Sequence, residues 1–199
     1  MDAMRIADKV RNLKEFIKLK SAISEDIKAS LLPYVEFLEE AEKTLLNNED
    51  APLELWEKLI YVLHDIPRDF VDEDLLWYAR MKFKVLKMTP EMCEQIKLIL
   101  KHAVKEGIVT TLPDDEALIE YKKRFYPDDD WTKARNAFNR AAEKLYEMGF
   151  FGMRKKKGTG RGGYDKYGTR KIVQWHLAPK WEKKNPLEVL EELCKNKEG

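Results

Sequence analysis

The chain has 199 residues, 44% of them hydrophobic and 37% charged, enough for one sizeable core or two small ones of roughly 90–110 residues each. The net charge is +1, and no apolar run approaches the roughly 18–20 residues needed to span a bilayer, so a membrane protein is not expected. The first residues, MDAMRIADKVRNLKEF, are charged and amphipathic and lack the apolar core of a secretory signal, which points to the cytoplasm. Cys93 and Cys194 are far apart and have no metal-type spacing, so neither a disulfide framework nor a zinc site is expected. The high charge beside two Gln and three Ser resembles the composition of thermophile proteins.

Helical periodicity runs through the first 88 residues. Ile6, Val10, Leu13 and Ile17 form one stripe, and Ile27, Leu31, Tyr34, Leu38, Ala41 and Leu45 form a second. Pro33 lies inside the second pattern, where it kinks the helix or starts a new one. The two stripes either bury one another or meet a second chain as a homodimer contact. Glu39, Glu40 and Glu42 read as a solvated face. A turn at 47–50 precedes Pro52, which opens a helix bearing Leu55, Trp56, Leu59, Ile60 and Leu63. His64-Asp65-Ile66-Pro67 breaks that helix, and Asp72 caps the next, with Leu75, Leu76, Ala79, Phe83 and Leu86. The domain boundary is placed near Met88–Thr89.

From Thr89 the order of elements changes character. Thr89 and Pro90 make a cap and first-turn signal, and the helix stops at Gly107. A short β-prone run follows at 108–111, and Asp114 begins a helix through Leu118, Ile119 and Tyr121 to Phe125. After the turn Tyr126-Pro127-Asp128 comes a helix over 131–148, then a hairpin with strands over 150–156 and 171–177. Between 131 and 184 there are 15 Lys and Arg against 4 Asp and Glu. Residues 1–130 hold 20 basic and 28 acidic side chains. A basic segment on an acidic body is what a polyanion-binding surface looks like.

The run NRAAEKLYEMGFFGMRKKK followed by TRKIVQWHLAP resembles the winged helix-turn-helix superfamily of DNA-binding domains, over about residues 89–179. The resemblance implies a mostly α protein: an N-terminal helical domain over 1–88, a winged helix over 89–184 with a small β-hairpin wing, and a C-terminal helical tail over 185–199. It also implies that double-stranded DNA is the partner.

Within the helix of 131–148, Trp131, Ala134, Phe138, Ala141, Leu145 and Met148 share one stripe and are expected in the core. The opposite face carries Thr132, Lys133, Asn136, Asn139, Arg140 and Glu143. Asn pairs bidentately with adenine and Arg with guanine, so this face suits major-groove reading. Asp128-Asp129-Asp130 departs from the superfamily pattern, since three carboxylates favour the helix dipole but repel phosphates. Either the helix docks tilted, with its middle in the groove, or the ligand does not approach in the way usual for the superfamily.

Five of the nine glycines fall between 158 and 168, at the hairpin tip. Around them stand Arg154, Lys155, Lys156, Lys157, Arg161, Lys166, Arg170 and Lys171, cations suited to a phosphate backbone or a minor groove. Tyr164 and Tyr167 either contact sugars and bases or pack against the wing base. Val173, Trp175 and Leu177 are expected to face the core, with Gln174 and His176 outward. Gly158, Gly160 and Gly163 match a dinucleotide fingerprint formally, but a strand follows where a helix is required.

His64, His102 and His176 lie on three different elements, without ligand or triad spacing. No catalytic residue, metal site or cofactor is therefore expected. The sequence points to a prokaryotic sequence-specific DNA-binding protein acting in transcription regulation. The alternatives are a replication, partition or mobile-element DNA-binding protein, and a winged helix that binds a protein or RNA.

Overall fold

The computed structural model describes residues 3–19, 24–47, 51–158 and 170–195, with the backbone alone for residues 3, 4, 155–158 and 170–172. It is mostly helical, with a three-stranded antiparallel sheet. The chain divides into two compact units, Met1–Met88 with Glu192–Gly199, and Thr89–Glu191.

The first unit contains α1 (Ala3–Lys18), α2 (Glu25–Leu31), α3 (Val35–Leu46), α4 (Leu53–Asp65) and α5 (Glu73–Leu86). Ser24 caps α2 and Asp72 caps α5, its carboxylate accepting the Leu75 N–H at 3.1 Å. Pro33 does not end the helical path. It sits in a 3-10 turn, Leu32–Tyr34, that joins α2 to α3, because proline removes an N–H that a continuous α-helix would use.

Ile6, Val10, Leu13 and Ile17 of α1 are buried, as are Leu31, Leu38, Ala41 and Leu45, and α1 packs on α3. The stripes thus bury one another within the chain. Leu38 and Leu45, which a dimer built on these stripes would use, are already covered. Glu42 corrects the expected solvated face. It is buried, and its two carboxylate oxygens accept from Arg11 Nε at 2.7 Å and Lys14 Nζ at 2.9 Å. The hydrogen bond from Arg11 holds the Glu42 carboxyl below its ordinary range, against the opposing effect of burial.

The second unit runs α6 (Pro90–Glu106), β1 (Ile108–Thr110), α7 (Glu116–Phe125), α8 (Trp131–Glu147), β2 (Phe151–Gly158) and β3 (Arg170–Leu177). Thr89 caps α6, and Pro90 occupies its first turn. Gly107 and Gly149, with φ of 80° and 82°, turn the chain out of α6 and α8, a conformation that costs glycine least. Asp115, rather than Asp114, caps α7. One of its oxygens accepts the Ala117 N–H and the other both the N–H and the hydroxyl of Thr110, so the same carboxylate ties β1 to α7.

The sheet order is β1-β3-β2, with Val109 opposite Trp175 and Met153 opposite Trp175 from the other side. Trp175 faces the core as expected, while Val173 and Leu177 are only half-buried. A short turn with Trp181 stacked on Phe150 at 4.8 Å closes the hairpin base. The Trp181 indole N–H also donates to the Gly149 carbonyl at 2.9 Å. The last helix, α9, covers Pro186–Cys194; its end from Glu192 belongs to the first unit, within which the Leu193 carbonyl accepts from Lys82 Nζ at 3.0 Å. Among the described residues no helix is long and apolar enough to cross a membrane.

Candidate nucleic-acid interface

The helix α8 buries Ala134, Ala137, Phe138, Ala141, Ala142 and Leu145. Small residues at four of these six positions let α6 and α7 approach closely. Tyr121 of α7 is the centre of that packing. Its ring meets Phe138 edge-on at 5.3 Å, stacks near Tyr126 at 5.7 Å and touches Phe125 at 5.3 Å. Its buried hydroxyl donates to Gln95 Oε1 of α6 at 2.7 Å. One side chain of α7 therefore meets α8 through its ring and α6 through its hydroxyl. Burial raises the Tyr121 phenol well above its usual range, so it stays a donor in ordinary solution.

With that side buried, α8 turns Thr132, Asn136, Arg140, Glu143 and Glu147 outward along one stripe, with Lys133 beside it. The stripe changes character along its length. Thr132 to Arg140 is neutral to basic and covers about 12 Å of helix axis at about 1.5 Å per residue, while Glu143 and Glu147 make the C-terminal part acidic. Among the described residues, no ion pair engages Arg140. Asn139 differs from expectation, for it is half-buried and its Oδ1 is enclosed without a hydrogen-bond partner. It lies towards the Ala142 edge of the stripe, where the buried side begins. Arg135 Nε, one turn earlier, is similarly enclosed.

The three aspartates before α8 divide their roles. Asp130 caps the helix, accepting the Lys133 N–H at 2.7 Å, and Asp129 holds Lys133 Nζ at 2.7 Å. The hydrogen bond from Asp129 raises the Lys133 ammonium above its ordinary value. Asp128 is exposed. Of the residues expected on the reading face, Lys133 is thus occupied by a local carboxylate. Five residues, 126–130, separate α7 from α8, more than the three or four usual in a helix-turn-helix. Lys122 braces this turn, donating to the carbonyls of Tyr126 and Pro127 at 3.3 Å each.

Trp131 is a correction. It was expected in the core with Phe138 but is 41% exposed. As the first residue of α8, its side chain leans back past the end of the helix, beyond the region that α6 and α7 cover. Lys122 Nζ lies 5.2 Å from its ring centroid.

The hairpin brings the basic strand segments together in register. Arg154 lies opposite Gln174, Lys155 opposite Val173, Lys156 opposite Ile172, Lys157 opposite Lys171 and Gly158 opposite Arg170. Arg154 is exposed. Arg161, Lys166, Tyr164 and Tyr167 lie outside the described residues. Nearer the base, a Cβ on Gly152 would meet the His176 imidazole across the ladder, so a larger residue there requires that ring to move.

The three histidines stay apart: His64 meets Arg80, His102 meets Glu120, and His176 covers Gly152. Among the described residues no group of three or more His, Cys, Asp and Glu is placed to hold a metal ion. Cys93 and Cys194 are both buried. The chain matches no protein-family model, and no curated protein or solved structure matches it significantly.

Proposed function

We propose that the Thr89–Glu191 unit is a winged helix that binds double-stranded DNA sequence-specifically in the cytoplasm, and that the protein regulates transcription. The observation that carries this reading is the outward stripe Thr132–Asn136–Arg140 on α8, followed directly by a basic two-stranded hairpin. The order α6, β1, α7, α8, β2, β3 and the sheet order β1-β3-β2 support the winged-helix part. Asn136 and Arg140 suit bidentate contacts to adenine and guanine in the major groove. The hairpin cations suit the flanking phosphates. Thr132 to Arg140 matches three or four base pairs at about 3.4 Å each. The acidic Glu143 and Glu147 limit the reading surface to that N-terminal half.

Selection of bound fragments from a random duplex pool by the full-length chain tests the reading. A short enriched core of three or four positions, lost in Arg140→Ala, is the expected outcome. Repeats of the core in tandem would favour an origin-binding or partition role. No enrichment, with retention of RNA or a protein in place of duplex DNA, would overturn the DNA reading.

A further inference from the structure

The N-terminal end of α8 poses a problem that the reading stripe does not solve. The free N–H groups of a helix N-terminus can hold a phosphate. Here Asp130 takes the Lys133 N–H and Asp129 takes the Lys133 ammonium, so carboxylates of the chain itself occupy that position. An anion is repelled there, and whatever meets this end of the helix must be uncharged where it touches.

Beside those carboxylates stands Trp131, 41% exposed, whereas Trp56, Trp175 and Trp181 are at most 5% exposed and Trp77 of α5 is half-buried. Its position is fixed. Lys122 lies against the ring and is anchored to the Tyr126 and Pro127 carbonyls. Lys123, the next residue of α7, is exposed, and no ion pair engages it among the described residues. The α7–α8 corner thus offers an apolar plate with a cation beside it. An aromatic plate takes the uncharged face of a nucleotide, and a neighbouring cation takes its phosphate.

We infer that Trp131 is a DNA contact that packs on a deoxyribose of the duplex backbone, with Lys123 directed to the adjoining phosphate. The corner forms a second hold on the backbone, across α8 from the hairpin. The inference rests on the DNA-binding reading of the same unit. It replaces the phosphate expected at the helix N-terminus with a sugar. Because deoxyribose is common to all sequences, the contact adds affinity and no base preference.

The test uses the full-length chain, a 20-base-pair duplex of unrelated sequence, and acrylamide as a collisional quencher of indole emission. In the free protein Trp131 should give the largest share of the readily quenched emission, beside a smaller share from half-buried Trp77, and Trp131→Phe should lose that largest share. Adding duplex should protect that emission in the unaltered chain and change little in Trp131→Phe. Trp131→Ala should weaken binding about five- to ten-fold on selected and unrelated duplexes alike, in line with the loss of one aromatic stack. Trp131→Phe should keep most of the affinity. Lys123→Ala should reduce the salt slope by about one unit. If the unaltered chain binds duplex while Trp131 stays fully quenchable and Trp131→Phe and Trp131→Ala bind as tightly, the inference is wrong and the DNA reading survives. If the unaltered chain does not bind duplex at all, the DNA reading itself fails and the inference with it. The quenching comparison decides the matter even if Trp131→Ala is poorly folded.

Discussion

Replacing Tyr121 by Phe removes a single oxygen and tests how α7 is tied to α6 in the packing beneath α8. The ring contacts to Phe125, Tyr126 and Phe138 remain, but Gln95 Oε1, enclosed between α6 and α7, loses its donor. An unsatisfied buried acceptor costs about 1–3 kcal/mol. In a unit of this size each kcal/mol lowers the melting temperature by roughly 4–8 °C. Calorimetry on the full-length chain should therefore show the transition of the Thr89–Glu191 unit shifted down by roughly 5–20 °C. The other unit should melt as before. Because burial keeps the phenol protonated, the loss should be the same at pH 6 and pH 9. Gln95→Leu combined with Tyr121→Phe removes both partners and should recover more than half of the loss. A shift within error for Tyr121→Phe, or a double variant whose losses simply add, would refute the view that this hydrogen bond holds α7 to α6 beneath α8.

Three further outcomes follow from side chains already described. Glu42→Gln should lower stability by about 2 kcal/mol at neutral pH. Because the folded pKa of Glu42 is depressed, its stabilisation is complete above about pH 4.3 and fades as the pH falls through the folded value. The gap between the two proteins should therefore close in acid, and a gap constant from pH 7 to pH 2.5 would show that the ion pair is not its source. Gly152→Ala should destabilise the second unit by about 1–3 kcal/mol, because the added methyl displaces the His176 ring; urea melts that coincide with the parent would contradict this. Asp129→Asn frees Lys133 and should tighten duplex binding about two- to five-fold, the range of an exposed ion pair, whereas unchanged affinity would mean that Lys133 does not reach DNA.

Local chemistry made much of the fold legible. Thr89 with Pro90, Asp72, Gly107 and Gly149 mark helix ends through capping and positive φ, which depend on near neighbours alone. The stripe of Ala134, Phe138, Ala141 and Leu145 follows from helical periodicity and is buried as read. What escaped depends on distant partners or helix ends. Glu42 resembles its exposed neighbours Glu39 and Glu40, and its partners Arg11 and Lys14 lie 31 and 28 residues away. Trp131 obeys the periodicity of the core, yet the core stops one turn short of it. Asn139 sits on the polar side of α8 by spacing, but its angle brings it to the buried edge. Asp115 outcompeted Asp114 as the cap because it also reaches Thr110. Of the candidate site itself, Thr132, Asn136 and Arg140 are exposed as their helical spacing suggested, and Arg154 on the hairpin is exposed too. Lys133 is exposed too, but bound to Asp129.

If a basic hairpin and the N-terminal half of α8 hold duplex DNA, binding must weaken steeply as salt rises. Equilibrium affinity of the full-length chain for a 20-base-pair duplex should be measured from low to moderate salt. With about six phosphates neutralised, log K should fall against log salt with a slope of roughly −5. Charge-removing substitutions at Arg154, Lys155, Lys156 and Lys157 should flatten it by several units. A slope near zero, or one unchanged by those substitutions, would contradict the account.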